Sequence, residues 1–180
     1  MKYPVAISNH YTLKTLNRIV IMAVLVMAGS QADACARKAT PPARSTVKAA
    51  ATMNAATLNA QILYYVNKYR ASKGLAPLVA NKLMDSLAEM HSEQMANGTT
   101  PFGHDGFEDR VATYSKLQGK VSRAAENVAY GNLDAEGVVN GWIHSPGHRK
   151  NMEGNYALSG IGTAVGKNGM IYFTQLFIQQ

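Results

Sequence analysis

Apolar side chains recur along this chain with several distinct periods. Leu58, Ile62, Tyr65, Val66 and Tyr69 fall three and four apart, the spacing of a helix with one buried stripe. Thr57 supplies an N-cap in front of them, and Gly74 and Pro77 close the segment. From about Asn81 to Ala96 a second helix places Met84, Leu87, Ala88, His91 and Met95 on one face, with Asn97-Gly98 as its stop. A loop through Pro101-Phe102-Gly103-His104-Asp105-Gly106 leads into a short helix over roughly residues 107–117. Residues 125–130 alternate as a strand does, with Glu126, Val128 and Tyr130 on one face. Asp134 caps a further helix in which Val138 and Trp142 pair at helical spacing, as do Val139 and Ile143. Ser145-Pro146-Gly147-His148 interrupts it and opens another turn. Residues 161–165 and 170–178 are apolar strands joined across Lys167-Asn168-Gly169, a hairpin signal. Helices first, mixed elements next and a terminal hairpin last predict an α+β domain, an antiparallel sheet with helices packed on it.

The region before this domain has a different character. Residues 1–18 carry Lys2, Lys14 and Arg18 and no acid, and the unbroken apolar run Ile19 to Gly29 follows. As a helix that run reaches roughly 16 Å, about half a bilayer core, too short for a comfortable transmembrane span. Ala32-Asp33-Ala34 then has the A-x-A form of a cleavage site. The expected organisation is a signal peptide at 1–34, a flexible basic linker at 35–57 and a folded domain at 58–180. The expected location is secreted, extracellular or periplasmic, with no transmembrane helix in the mature form. Cys35, the one cysteine of the chain, stands where bacterial lipoproteins carry their lipid, so anchoring through Cys35 is the alternative.

Composition narrows the function classes. One cysteine in 180 residues excludes an intramolecular disulfide framework and a cysteine zinc cluster. The net charge of +7 comes mostly from the N-terminal region, where Arg37, Lys38, Arg44 and Lys48 stand without an acid. Residues 58–180 are nearly neutral, which argues against nucleic acid as a partner. Gly160-Ile161-Gly162 has no helix after it and is not a dinucleotide loop. No Gly-x-Ser-x-Gly elbow is present, which argues against a serine hydrolase.

The candidate chemistry lies in His91, His104, His144 and His148, with Glu126 as the chief polar partner. They sit in the blocks His91-Ser92-Glu93-Gln94-Met95-Ala96, Phe102-Gly103-His104-Asp105-Gly106-Phe107, Ala125-Glu126-Asn127-Val128-Ala129-Tyr130-Gly131, and Gly141-Trp142-Ile143-His144-Ser145-Pro146-Gly147-His148-Arg149-Lys150-Asn151. In these ordered blocks the sequence resembles the CAP superfamily of cysteine-rich secretory, antigen 5 and pathogenesis-related proteins, specifically its bacterial SCP-like extracellular branch. The resemblance covers about residues 58–180. It implies an α-β-α sandwich with a polar surface cleft formed here by His104, Glu126 and His148. Many eukaryotic members add a glutamate just after the helical tryptophan; this chain reads Trp142-Ile143-His144-Ser145 and lacks it.

Two imidazoles and a carboxylate suit a zinc or copper divalent ion, with His104 and His148 as candidate metal residues and Glu126 either as ligand or as their support. With Ser145 as N-cap and Pro146 first in the helix, His148 falls in the first turn, where the dipole disfavours its protonation. His91 reads as a core or supporting histidine and His144 as a rim residue. Asp105 and Asp109 read as helix-start residues, and Arg110 as the partner of an acid, holding the loop of His104. The expected function is an exported binding module for a lipid, glycan or protein. A hydrolase of peptide, ester or glycan bonds using His104, Glu126 and His148 is the alternative.

Overall fold

The computed structural model describes residues 44–180. The proposed signal peptide, its cleavage site and Cys35 lie outside them. The order of elements is α1 (Arg44–Ser72), β1 (Val79–Ala80), α2 (Lys82–Asn97), α3 (Phe107–Gln118), β2 (Arg123–Gly131), α4 (Ala135–His144), α5 (Pro146–Met152), β3 (Leu158–Val165) and β4 (Ile171–Gln179).

The first helix departs from the sequence expectation. It begins at Arg44, so Thr57 lies inside it and is not its cap, and residues 44–57 of the expected linker are helical. Ala49, Ala50, Ala51, Ala55 and Ala56 explain the extension, because alanine carries the lowest cost of any residue in a helix. The later caps fall where the side chains predict. Asn81 accepts from the backbone N–H groups of Leu83 and Met84. Gly98 ends α2 in the left-handed region at φ 73°, where the Gly98 and Thr99 N–H groups close on Met95 and Gln94. Asp134 caps α4 through the Gly137 N–H at 2.8 Å.

The strands form one sheet in the order β1-β3-β4-β2. β4 pairs antiparallel with both β2 and β3, and β1 adds a short parallel edge beside β3. Helices cover both faces, which makes the expected α-β-α layering. On one face Phe173 and Phe177 pack with Ile62, Val66, Val139 and Trp142 of α1 and α4. On the other, Leu176 and Ile178 pack with Met84, Leu87 and Ala88 of α2 and with Tyr114 of α3. Gly160 and Gly162 lie directly beneath α2. A Cβ on either would overlap helix backbone at Met84, or at Ala88 and Glu89, so this pair is a packing seam.

Arg70 is 2% exposed and ties α1 to the segment leading into β3. Its guanidinium donates to the carbonyls of Ala76, Met152, Gly154 and Tyr156. The second face of the sheet, under α2 and α3, is where Glu126 emerges, opposite Leu176 on β4.

Candidate active site

Glu126 sits in the middle of β2, and its side chain is 2% exposed. A lone carboxylate in that position carries a large desolvation cost. Arg110, one turn into α3, offsets it with a fork: Nε donates to Oε2 at 3.0 Å, and Nη2 donates to Oε2 at 2.7 Å and to Oε1 at 3.0 Å. The same guanidinium donates through Nη1 to the Asp105 carbonyl at 2.9 Å. Arg110 therefore holds the acid and the loop of His104 at once, as its sequence position suggests.

His104 completes the cluster. Its Nδ1 lies 2.9 Å from Glu126 Oε1. A carboxylate only accepts, so Nδ1 carries the proton and donates it. In the neutral ring, Nε2 is then left with a free lone pair. The His104 side chain is 37% exposed, against 2% for its acid, so the cluster is buried at its base and open at the imidazole.

His148 approaches from α5, which lies beside β2. Asn127 Nδ2 donates to the His148 carbonyl at 3.2 Å. Asn151 Nδ2 donates to the Glu126 carbonyl at 3.1 Å and to Asn127 Oδ1 at 2.9 Å. These amides fasten α5 to the strand that bears Glu126. Burial, and then the charge of His104, hold the His148 pKa below its ordinary value. His148 is the third residue of α5, as expected. Ser145 has the extended conformation of an N-cap, but its side chain makes no capping hydrogen bond. Burial is the first cause of the lowered His148 pKa.

The remaining candidates separate clearly. His91 is 1% exposed on the inner face of α2, with Nε2 2.9 Å from the Gly103 carbonyl. His144 is exposed, and its Nδ1 lies 2.8 Å from the Asn140 carbonyl of its own helix. Phe102, two residues before His104, packs edge-on against Tyr130 of β2 with ring centroids 4.8 Å apart. Asn127 and Asn151 were not singled out by sequence reasoning, although both lie within the quoted blocks. An amide gives no local sign of which carbonyl it will meet.

Among the described residues no group of three or more His, Cys, Asp and Glu is arranged to hold a metal ion. Both Glu126 oxygens accept from Arg110, and Oε1 also accepts from His104 Nδ1. A separate open hollow of about 580 Å³ lies between α1 and α4, lined by Tyr65, Lys68, Tyr69, Glu136 and Asn140 among others. No residue of the His104 cluster borders it.

Comparison with known proteins places these features in a wider set. Residues 63–177 match the sequence profile described as the cysteine-rich secretory protein family, CAP. An uncharacterized membrane protein of Bacillus subtilis, YlbC, is 33% identical over 132 residues, covering 69% of this chain and 35% of that protein. Another uncharacterized protein of Bacillus subtilis, YkwD, is 30% identical over 126 residues, covering 66% of this chain and 46% of its own. The chain thus spans less than half the length of these two relatives. An extracellular protein containing an SCP domain from Bacillus anthracis superposes with a TM-score of 0.61 at 25% identity, over 79% of this chain and 45% of that one. An outer surface protein of Borrelia burgdorferi shares the fold, with a TM-score of 0.55 at 17% identity over 66% of this chain and 90% of that one.

Proposed function

Because the chain belongs to the cysteine-rich secretory protein family, we propose that it acts outside the cytoplasm as a binding module whose cleft presents His104 and His148. The proposed occupant is a zinc or copper divalent ion, or a small polar ligand. Residues 1–34 direct export in this reading, with release as a secreted protein or retention through Cys35. The Bacillus anthracis protein is an extracellular protein and the Borrelia burgdorferi protein an outer surface protein, which supports that location. No described helix is long and apolar enough to cross a membrane.

One observation carries the reading. Arg110 and Glu126 form a buried, fully engaged base that fixes the tautomer of a partly exposed imidazole. A neutral ring with one bare nitrogen is the form that coordinates an ion or accepts a hydrogen bond. His148, whose pKa burial holds below its ordinary value, offers a second ring. Two donors leave the remaining positions of an ion to water or to a ligand, so binding is open.

Calorimetric titration of zinc into the full chain tests this, with Cys35→Ser as background so that the thiol does not contribute. His104→Ala and His148→Ala are each expected to weaken binding, and Glu126→Gln to weaken it by about tenfold through loss of orientation. Wild-type affinity in both histidine variants overturns the ion reading.

The His104–Glu126 pair also favours a second reading. A carboxylate-oriented imidazole with a free Nε2 is the arrangement of a general base. Turnover of a peptide, ester or glycan panel that disappears in Glu126→Ala supports the hydrolase. No turnover in wild type removes it.

A further inference from the structure

His91 is the most deeply buried imidazole of the cluster's surroundings, and neither binding nor base chemistry uses it. It sits among the core residues of α2, 1% exposed, with Leu87 and Met95 on the same helix face. Its Nε2 lies 2.9 Å from the carbonyl of Gly103, the residue immediately before His104. Its Nδ1 has no hydrogen-bond partner among the described residues. These two facts determine the tautomer. A carbonyl accepts only, so Nε2 carries the proton. The unpartnered Nδ1 is then a bare lone pair, which costs less to bury than an orphaned N–H together with a ring charge.

We infer that His91 is a positioning residue for His104: its Nε2–H, donated to the Gly103 carbonyl, fixes the peptide plane that leads into His104 and so aims the His104 ring at Glu126. The loop around that ring has few other restraints. Phe102 grips Tyr130 on one side and Arg110 grips the Asp105 carbonyl on the other. Between them, Phe107 N–H donates to the His104 carbonyl at 3.0 Å on the far side of the ring, and the His91 bond holds the peptide that leads into it. Gly103 has no side chain with which to hold its own peptide plane, so the restraint must come from outside. A histidine does this from a helix packed on the sheet because its ring spans from the helix face to the loop while filling core volume. An apolar side chain fills that volume without the donor. Burial holds the His91 pKa below its ordinary value, which keeps the ring in the neutral, single-donor form near neutral pH.

This inference rests on reading His104 as the cleft imidazole, but its test needs no ligand. The imidazole nitrogens of ¹⁵N-labelled full chain, observed by long-range ¹H–¹⁵N correlation at mildly alkaline pH, report the His104 tautomer directly. Wild type is expected to show a single tautomer, protonated at Nδ1. His91→Leu, which keeps bulk and removes the donor, is expected to give a mixture of the two His104 tautomers. His91→Gln, whose amide can still donate to the Gly103 carbonyl, is expected to restore the single tautomer. His91→Met carries the same comparison if the leucine variant does not fold. A folded apolar variant with an unchanged His104 tautomer overturns the inference, and so does a glutamine variant that mixes as fully as the apolar one. A failed zinc titration with an intact tautomer pattern would remove the binding reading and leave this one standing.

Discussion

At the scale of single residues the cleft is a problem of buried charge. Glu126 and Arg110 are 5% and 7% exposed, and each is tolerable there only because of the other. Glu126→Gln leaves the guanidinium without its counter-charge and is expected to destabilise the fold by about 3–5 kcal/mol, read from urea unfolding midpoints. The histidines add a pH dependence. Burial depresses the pKa of both His91 and His148 below the ordinary 6.5. Above that value both rings are neutral whether the chain is folded or not. As the pH falls below about 6.5, the unfolded chain takes up protons that the folded chain refuses, so stability declines. The melting temperature is expected to drop over that range, and to drop less in His91→Gln. His104, Glu126 and Arg110 were legible in the sequence because titratable side chains in a polar loop, on a strand and at a helix start declare their chemistry. Asn127 and Asn151 were not, because their partners are backbone carbonyls brought close only by the packing of α5 against β2.

At the scale of elements, close approach of α2 to β3 brings the helix bearing His91 down onto the sheet. Gly160 and Gly162 permit it. Gly162→Ala places a Cβ into the α2 backbone and is expected to cost about 1–3 kcal/mol, measured by chemical denaturation, and to disturb the His91 contact as the helix lifts. Arg70 does comparable work for α1. Arg70→Met leaves the carbonyls of Met152 and Tyr156 without their donor, at about 1–3 kcal/mol for each group left unpaired, and a lowered melting temperature is the check. Helices α2 and α4 were readable to within a residue or two, since Asn81, Gly98 and Asp134 are real caps with local geometry. β1 was not readable, because two residues, Val79 and Ala80, carry no period and pair only through a parallel neighbour far along the chain. The start of α1 was misplaced for the opposite reason. Alanine-rich sequence without a large apolar stripe looks like a linker, yet its helix propensity extends the packed helix back to Arg44.

At the scale of the whole molecule, one sheet of the described residues separates two cores, and the His104–Glu126 pair sits at its edge strand β2. α3 and its preceding loop bring Arg110 and His104 to that edge from one layer, and α5 brings His148. The fold class was legible from the order of elements, whereas the pairing of His104 with Glu126 came only from family resemblance, since no spacing along a chain encodes it. The central claim is that His104 and His148 share one cleft. NMR titration of the His148 imidazole in wild type and in His104→Ala tests it most directly. A His148 midpoint below 6.5 that rises when His104 is removed is the outcome expected from two neighbouring rings. A midpoint at or above 6.5, unmoved by the substitution, would contradict a shared site.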